Sequence, residues 1–170
     1  DVAVLYKQGI EVVLISSGAV AAGRGEVTPS KRTNIVAAKQ IWAAIGQVKL
    51  MSSYQFLFGK YGIQAGQLLA AKESFRDRRH YLNMKNCFTT LLENKVIPIV
   101  NENDTISVTE LMFTDNDELS GLIASMVNSD ALILLSNVDG VYSDHPKNKD
   151  AKLIELIEVN DKEPESGISR

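Results

Sequence analysis

Short apolar runs that alternate with stretches of helical spacing constrain the fold of this chain more than any other feature. The runs are EVVLI at 11–15, QAGQLL at 64–69, VIPIV at 96–100 and ALILL at 131–135. Runs of this length are typical of buried strands, although two glutamines weaken the second and Pro98 weakens the third, since proline donates nothing to a strand ladder. Strands that alternate with helices indicate βαβ units and a mainly parallel sheet.

The stretches between these runs predict the helices of the fold. Residues 1–9 read as the end of an amphipathic helix with Gly9 as its cap, and a long helix is expected from Ile35 to near Gly59. Further helices are predicted over 81–92 and 118–127, and 153–157 is a candidate strand. We therefore expect a single α/β domain over 1–170, a three-layer α/β/α sandwich with a mainly parallel central sheet. From the first and last residues of the sequence, we expect this domain to be truncated at both ends.

Composition excludes several classes of protein. The chain has 170 residues, 45% hydrophobic and 23% charged, which is enough for a substantial core and excludes low-complexity disorder. A net charge of -3 gives no electrostatic reason to expect a nucleic-acid partner. The one cysteine, Cys87, cannot form an internal disulfide and is predicted to be an inert buried thiol. No apolar run approaches the ~20 residues of a membrane span, so we expect a cytoplasmic protein without a membrane partner.

Small residues follow the first apolar run. The segment SSGAVAAG at 16–23 would let a ligand approach the backbone closely, and a helix beginning there would direct free N–H groups at an anion. A tight turn with Ser17 as an ordinary helix cap explains the same residues equally well. The segment alone does not decide between the two interpretations.

Two further polar segments fall where ligands bind in an open α/β sheet, beyond the carboxyl ends of the strands. NEND at 101–104 follows VIPIV, and TDND at 114–117 precedes a predicted helix. Turn and cap chemistry explains isolated Asn and Asp residues, but one residue suffices for a cap. Asp104 and the second segment together offer carboxylates and amides suited to an ammonium group or to neighbouring lysines.

The histidines and the remaining basic residues do not indicate a catalytic site. His80 and His145 have no Ser or Asp partner at a recognisable spacing, which argues against a His-based triad. The basic residues at 76, 78 and 79 are interpreted as a solvated or subunit-interface face in preference to a phosphate clamp. Lys39, Lys49 and Lys72 are predicted to lie on helix surfaces.

Four segments carry a resemblance to a known family. SSGAVAAG, KQIWAAIGQ, VIPIVNEND and DND occur in this order, and the similarity runs from about residue 2 to residue 156. The chain resembles the amino-acid kinase superfamily, and within it the glutamate 5-kinases and the kinase domain of pyrroline-carboxylate synthase. SSGA alone is shared more widely among carbamate and acetylglutamate kinases.

The resemblance implies an activity and a set of site residues. The activity is ATP- and Mg²⁺-dependent phosphorylation of the L-glutamate side-chain carboxylate to glutamyl 5-phosphate, the first step of proline biosynthesis. The residues implied are Ser17, Asp104 and Asn116 for glutamate, Asn101 and Asp115 in support, Asp117 to organise two catalytic lysines, and Ser136 and Asn137 for the nucleotide. The last pair replaces the family's usual Thr-Asp, which weakens that assignment.

The resemblance also has implications for the catalytic lysines, the oligomeric state and the regulation of the protein. The family's lysines lie in a Lys-x-Gly-Ser/Thr segment on a first strand and after a Gly-rich segment, and neither segment is present. A homo-oligomer, a dimer or tetramer, and proline as a feedback inhibitor are expected. The alternatives are a related kinase acting on acetylglutamate, aspartate or a nucleotide monophosphate, and a non-catalytic amino-acid-sensing domain. Asp104 favours a free amino group in the substrate, because an acetylated amine needs no carboxylate partner.

Overall fold

The computed structural model describes residues 1–106, 116–145, 148 and 150–157. The chain divides into two compact units, residues 1–132 and 133–170. The six helices of the described part are α1 (Val2–Lys7), α2 (Ala19–Arg24), α3 (Ile35–Gly59), α4 (Glu73–Arg76), α5 (Arg78–Glu93) and α6 (Asn116–Val127). Its strands are β1 (Leu14–Ile15), β2 (Gln64–Ala70), β3 (Val96–Glu102), β4 (Val141–Tyr142) and β5 (Leu153–Ile154).

The first unit is built on a parallel sheet with strand order β1-β3-β2. β3 pairs with β2 over seven positions, from Gln64 opposite Val96 to Ala70 opposite Glu102. On its other side, β3 pairs with β1 at Leu14–Ile99 and Ile15–Val100. The parallel sheet predicted from the alternating runs is confirmed, and its centre is the strand that contains VIPIV.

Helices cover both faces of this sheet. Successive residues of a strand point to opposite faces, so the sheet contributes to two separate cores. One core contains Val100, Leu68, Phe88 of α5 and Ile123 of α6, among others. The other core contains Ile97, Ile99 and the α3 residues Met51 and Phe58, with the half-buried Val2, Ala3 and Tyr6 of α1 against it. The α/β sandwich is therefore confirmed, with α1 and α3 on one face and α5 and α6 on the other.

Helices α2 and α3 touch backbone to backbone. A Cβ added to Gly46 would lie 1.7 Å from the Ala19 carbonyl oxygen, and one added to Gly23 would lie 1.9 Å from that of Trp42. Only glycine fits at these two positions. The contact holds α2 against α3, directly after the loop that follows β1. Beyond the end of α2, the Trp42 indole N–H donates a hydrogen bond to Val27 O at 3.0 Å.

Pro98 lies in the central strand, so the sequence-based doubt about this run was wrong. Val100 accepts a hydrogen bond from Ser16 N–H at 2.8 Å, which shows that Val100 directs its backbone groups towards β1. Pro98, two residues earlier, faces the same side. Because β1 begins only opposite Ile99, the missing N–H of Pro98 costs no ladder hydrogen bond.

Three strand predictions need correction. The strand in 11–15 is shorter than predicted and half-buried, because β1 has one partner strand in the part of the chain that the structure describes. The segment 131–135, predicted as the clearest strand, is exposed and forms none. The candidate strand at 153–157 is reduced to the two residues of β5, which pair antiparallel with β4 in the second unit.

Two side chains also differ from expectation. Cys87 was predicted to be buried, yet it is exposed, because α5 turns Phe88 into the core and the adjacent position to solvent. Lys72 precedes α4 and is largely buried, with 22% of its side chain exposed. Among the helices that the structure describes, none is long and apolar enough to cross a membrane.

Candidate functional site

The carboxyl ends of β1, β2 and β3 meet at one edge of the sheet, and backbone hydrogen bonds continue past the strands there. Ser16 N–H donates to Val100 O, which joins the end of β1 to β3. Asn103 N–H donates to Ala70 O at 2.8 Å, which joins the end of β3 to β2. The polar residues that follow β1 and β3 are therefore held at a common edge, which is where open α/β sheets bind ligands.

Ser17 and Asn116, which the resemblance assigns to glutamate binding, are in direct contact. The Asn116 side-chain amide donates both to Ser16 O, at 3.0 Å, and to the Ser17 hydroxyl oxygen. Ser17 does not cap α2, because the N-cap is Gly18 at φ 107°, a left-handed conformation that glycine adopts without strain. The ordinary-cap interpretation of Ser17 is therefore wrong, and its exposed hydroxyl is oriented by α6.

Asp104 is a half-buried carboxylate in the turn after β3. Burial raises its pKa above the ordinary value, and the Lys39 ammonium group opposes that shift. Gln40, the neighbour of Lys39, donates through Nε2 to Thr105 O at 2.9 Å and ties α3 to the same turn. A partly desolvated carboxylate gains most from a cationic ligand that replaces lost water, so this position suits an ammonium group.

Asn101, predicted as a supporting residue, has both polar atoms of its side chain hydrogen-bonded inside the protein. It is 4% exposed, its Nδ2 donates to Gln47 Oε1 at 3.0 Å, and its Oδ1 accepts from Glu102 N–H at 2.9 Å. The residue fixes the course of the backbone as β3 passes into the turn that carries Asp104.

The first turn of α6 brings acidic groups to this edge of the sheet. Asp117 is exposed there, and its backbone carbonyl accepts from Ser120 Oγ at 2.8 Å. The next residue, Glu118, forms an ion pair of 3.4 Å with Lys72 after β2. Lys72 thus joins β2 to α6, and the prediction that it lies on a helix surface is wrong. Asp115, predicted as a supporting group, lies outside the described residues.

The predicted nucleotide residues belong to the second unit. Ser136 and Asn137 are exposed in an irregular segment, where Ser136 Oγ accepts from Val138 N–H at 3.4 Å. Further along, the His145 N–H and the Asn148 amide hold the pKa of the Asp144 carboxyl below its usual value. The role of Ser136 and Asn137 in nucleotide binding stays a prediction.

The described residues at this edge include carboxylates, which are groups that hard cations such as Mg²⁺ prefer. No group of three or more His, Cys, Asp or Glu side chains suited to a metal ion occurs within 1–106, 116–145, 148 and 150–157. Mg²⁺ that accompanies a nucleotide needs no such cage, because it keeps several waters and takes phosphate oxygens as ligands.

Sequence reasoning missed the contribution of α3. Gln40, Gln47 and Tyr54 all hydrogen-bond to residues at the strand ends, the last through a 2.8 Å contact between Tyr54 Oη and Ser16 Oγ. The available signal was their spacing of seven residues, which places them on one face of a helix. Polar residues on an otherwise apolar helix face are informative when they recur at that interval.

Comparison with known proteins assigns a family to this architecture. The sequence model of the Amino acid kinase family matches residues 1–168, nearly the whole chain. Both the parallel sheet and the polar strand ends therefore belong to the matched region.

Individual relatives agree with this match. The chain is 59% identical over 158 residues to the glutamate 5-kinase of Bacteroides thetaiotaomicron, covering 93% of this chain and 44% of the relative. It is 57% identical over 142 residues to that of Chlorobaculum tepidum, covering 84% and 39%, and 45% identical over 163 residues to that of Clostridium acetobutylicum, covering 95% and 61%. The chain thus spans about two fifths to three fifths of the length of these relatives.

Proposed function

The chain belongs to the amino acid kinase family, and from that premise we propose that its protein transfers the γ-phosphoryl group of ATP to the side-chain carboxylate of L-glutamate. The product is glutamyl 5-phosphate, and the reaction opens proline biosynthesis. Similarity to glutamate 5-kinases over 84% to 95% of this chain supports the substrate. The observation that carries the proposal is the joining of Ser17 and Asn116 at the sheet edge that also holds Asp104.

Each of these residues has a role that its contacts support. Asp104 binds the substrate ammonium group, because its carboxylate is partly desolvated and a cation restores the lost interaction. Ser17 donates its hydroxyl proton to a substrate carboxylate oxygen, since the hydroxyl oxygen already accepts from Asn116. Asn116 orients that hydroxyl without adding negative charge to a site that binds a dicarboxylic acid.

The reaction joins two anions, so positioning and cationic stabilisation must supply most of the catalysis. Mg²⁺ with ATP provides charge neutralisation when bound. Ser136 and Asn137 contact the nucleotide in this proposal, and Asp117 orders the lysines that the family supplies from other segments. We further propose a cytoplasmic homo-oligomer in which proline acts as a feedback inhibitor, as the resemblance implies.

The test is a hydroxylamine-trapping assay on the complete protein with ATP and Mg²⁺. Glutamate, N-acetylglutamate and aspartate are offered in parallel, and an acyl phosphate appears as a coloured hydroxamate. We expect product from glutamate alone. Product from acetylglutamate would contradict the role of Asp104, and product from aspartate would contradict glutamate as the specific substrate. No product from any of the three would contradict the proposed reaction.

A further inference from the structure

Helix α3 carries a stripe of three polar side chains on its sheet-facing side: Gln40, Gln47 and Tyr54. They are seven residues apart, which is close to two helical turns. Each hydrogen-bonds to a residue just beyond a strand of the sheet or at its end, namely Thr105, Asn101 and Ser16 respectively. The helix thereby contacts both of the strand ends that carry predicted substrate residues.

Gln47 is the centre of this stripe and the most buried of its members. It is 9% exposed, and its Oε1 accepts from Asn101 Nδ2 at 3.0 Å while its Nε2 donates to Gln67 Oε1 at 3.3 Å. Both ends of the amide are therefore used, which fixes its orientation. Buried amides joined in this way specify one arrangement, because each alternative leaves a donor or acceptor without a partner.

The chain of amides leads to Asp104. Asn101 receives the backbone N–H of Glu102 on its own Oδ1, and the following Asn103 N–H is bound to Ala70 O. Asp104 is the next residue, held half-buried where the strand has just ended. Rotation of the Asn101 side chain would release the Glu102 amide and shift the turn.

We propose that Gln47 is a positioning residue of the substrate site, which acts through Asn101 to fix where the Asp104 carboxylate meets the substrate ammonium group. The inference rests on the proposed function for its substrate. It goes beyond that function by assigning a role to a residue of α3 that touches no substrate.

The kinetic test uses the complete protein and three variants. Gln47→Met keeps the side-chain length but removes the acceptor of Asn101, and we expect the KM for glutamate to rise about tenfold. The KM for ATP should stay within about twofold, because the displacement is confined to the glutamate side. Gln47→Glu keeps an oxygen for the Asn101 amide in either protonation state and should restore most of the loss. Gln55→Met, on an exposed turn of the same helix, is the matched control and should change neither KM.

A uniform fall in kcat with both KM values unchanged, or a Gln47→Glu variant as impaired as Gln47→Met, would overturn the inference. Either result would assign Gln47 to general stability. The rescue separates the two roles, since a purely structural defect from a buried carboxyl would be at least as large as that from methionine.

Hydrogen exchange separates failure of this inference from failure of the proposed function. We expect Gln47→Met to speed amide exchange in 102–105 about tenfold while 78–93 exchanges at the native rate. This result supports the positioning role even where the native protein yields no glutamyl phosphate. Unchanged exchange in 102–105 would overturn the role whatever the substrate.

Discussion

Two apolar runs of equal length, 96–100 and 131–135, reach opposite states in this molecule. In the first, Ile97 and Ile99 are each 1% exposed and form the centre of a parallel sheet. In the second, Ile133 is 77% and Leu135 96% exposed, and no strand forms. Both runs are followed by polar residues. Composition alone therefore does not decide which of them becomes a strand.

The difference lies in the neighbours of each run. The run 96–100 lies in β3, which pairs with a strand on each side and has helices packed against both faces. The run 131–135 has no strand partner among the residues that the structure describes. A strand is stabilised by its pairing and packing partners more than by its own propensity. The same partners place Asn101 and Asp104, so the candidate site depends on them.

The largest loss of stability is expected where a substitution forces helices α2 and α3 apart. Gly46→Ala would place a methyl group 1.7 Å from Ala19 O, and no rotamer relieves a clash with backbone. We expect the free energy of unfolding to fall by about 3 kcal/mol or more, measured by urea denaturation. Gly121→Ala, where nothing lies within 4 Å, is the control and should gain up to about 1 kcal/mol. A neutral Gly46→Ala would contradict the close α2–α3 contact.

The comparison of the two runs is tested directly by truncating one residue in each. Ile99→Ala should lower the free energy of unfolding by about 3 kcal/mol, because it leaves a cavity in the core. Leu135→Ala should change it by no more than about 0.5 kcal/mol, because the side chain is already in solvent. Equal losses in the two variants, measured by thermal unfolding of the complete protein, would show that 131–135 is packed as tightly as 96–100.

A smaller effect is expected from the hydroxyl pair that supports the end of β1. Tyr54→Phe removes the partner of Ser16 Oγ and keeps the ring that packs 6.3 Å from Phe58. We expect a loss of about 1 kcal/mol in stability. Tyr61→Phe, at an exposed ring, should be neutral within about 0.5 kcal/mol. If both variants lose the same amount, the Ser16–Tyr54 contact contributes nothing specific.

The smallest effect on stability is expected from Asp104→Asn, which should stabilise the protein at neutral pH where the other substitutions destabilise it. The folded-state pKa of Asp104 lies above the ordinary value of 3.8, so the folded protein binds more protons and loses stability as the pH rises from there through the raised pKa. Asp104→Asn lacks this loss. We expect the melting temperatures of the two proteins to coincide at low pH and the variant to be slightly more stable at neutral pH. A less stable variant at neutral pH would contradict the raised pKa.

Much of the fold follows from the sequence. The helices α3, α5 and α6 and the strands β2 and β3 occur where apolar spacing predicts them, because their partners are regular elements of the same unit. The failures lie where tertiary partners decide. The run 131–135 lacks such partners, and Pro98 is tolerated only because β1 begins one residue later.

The candidate site was predictable in part. The resemblance assigns both Ser17 and Asn116 to glutamate binding, and the structure joins them by a hydrogen bond. What the sequence did not predict are contacts between distant residues, such as Gln47 with Asn101 and Lys72 with Glu118. These pairs depend on how helices pack over the sheet, which no local pattern determines.

The most direct test of the site is the KM for glutamate of Asp104→Asn in the complete protein, measured by hydroxylamine trapping. Removing the carboxylate that pairs with the substrate ammonium group should raise this KM by roughly 30-fold or more. Asp130→Asn, at an exposed aspartate, is the control and should match the native protein. Higher stability together with weaker glutamate binding in Asp104→Asn would agree with a carboxylate that is kept partly desolvated and serves to bind the substrate. An unchanged KM would contradict the assignment of this edge as the glutamate site.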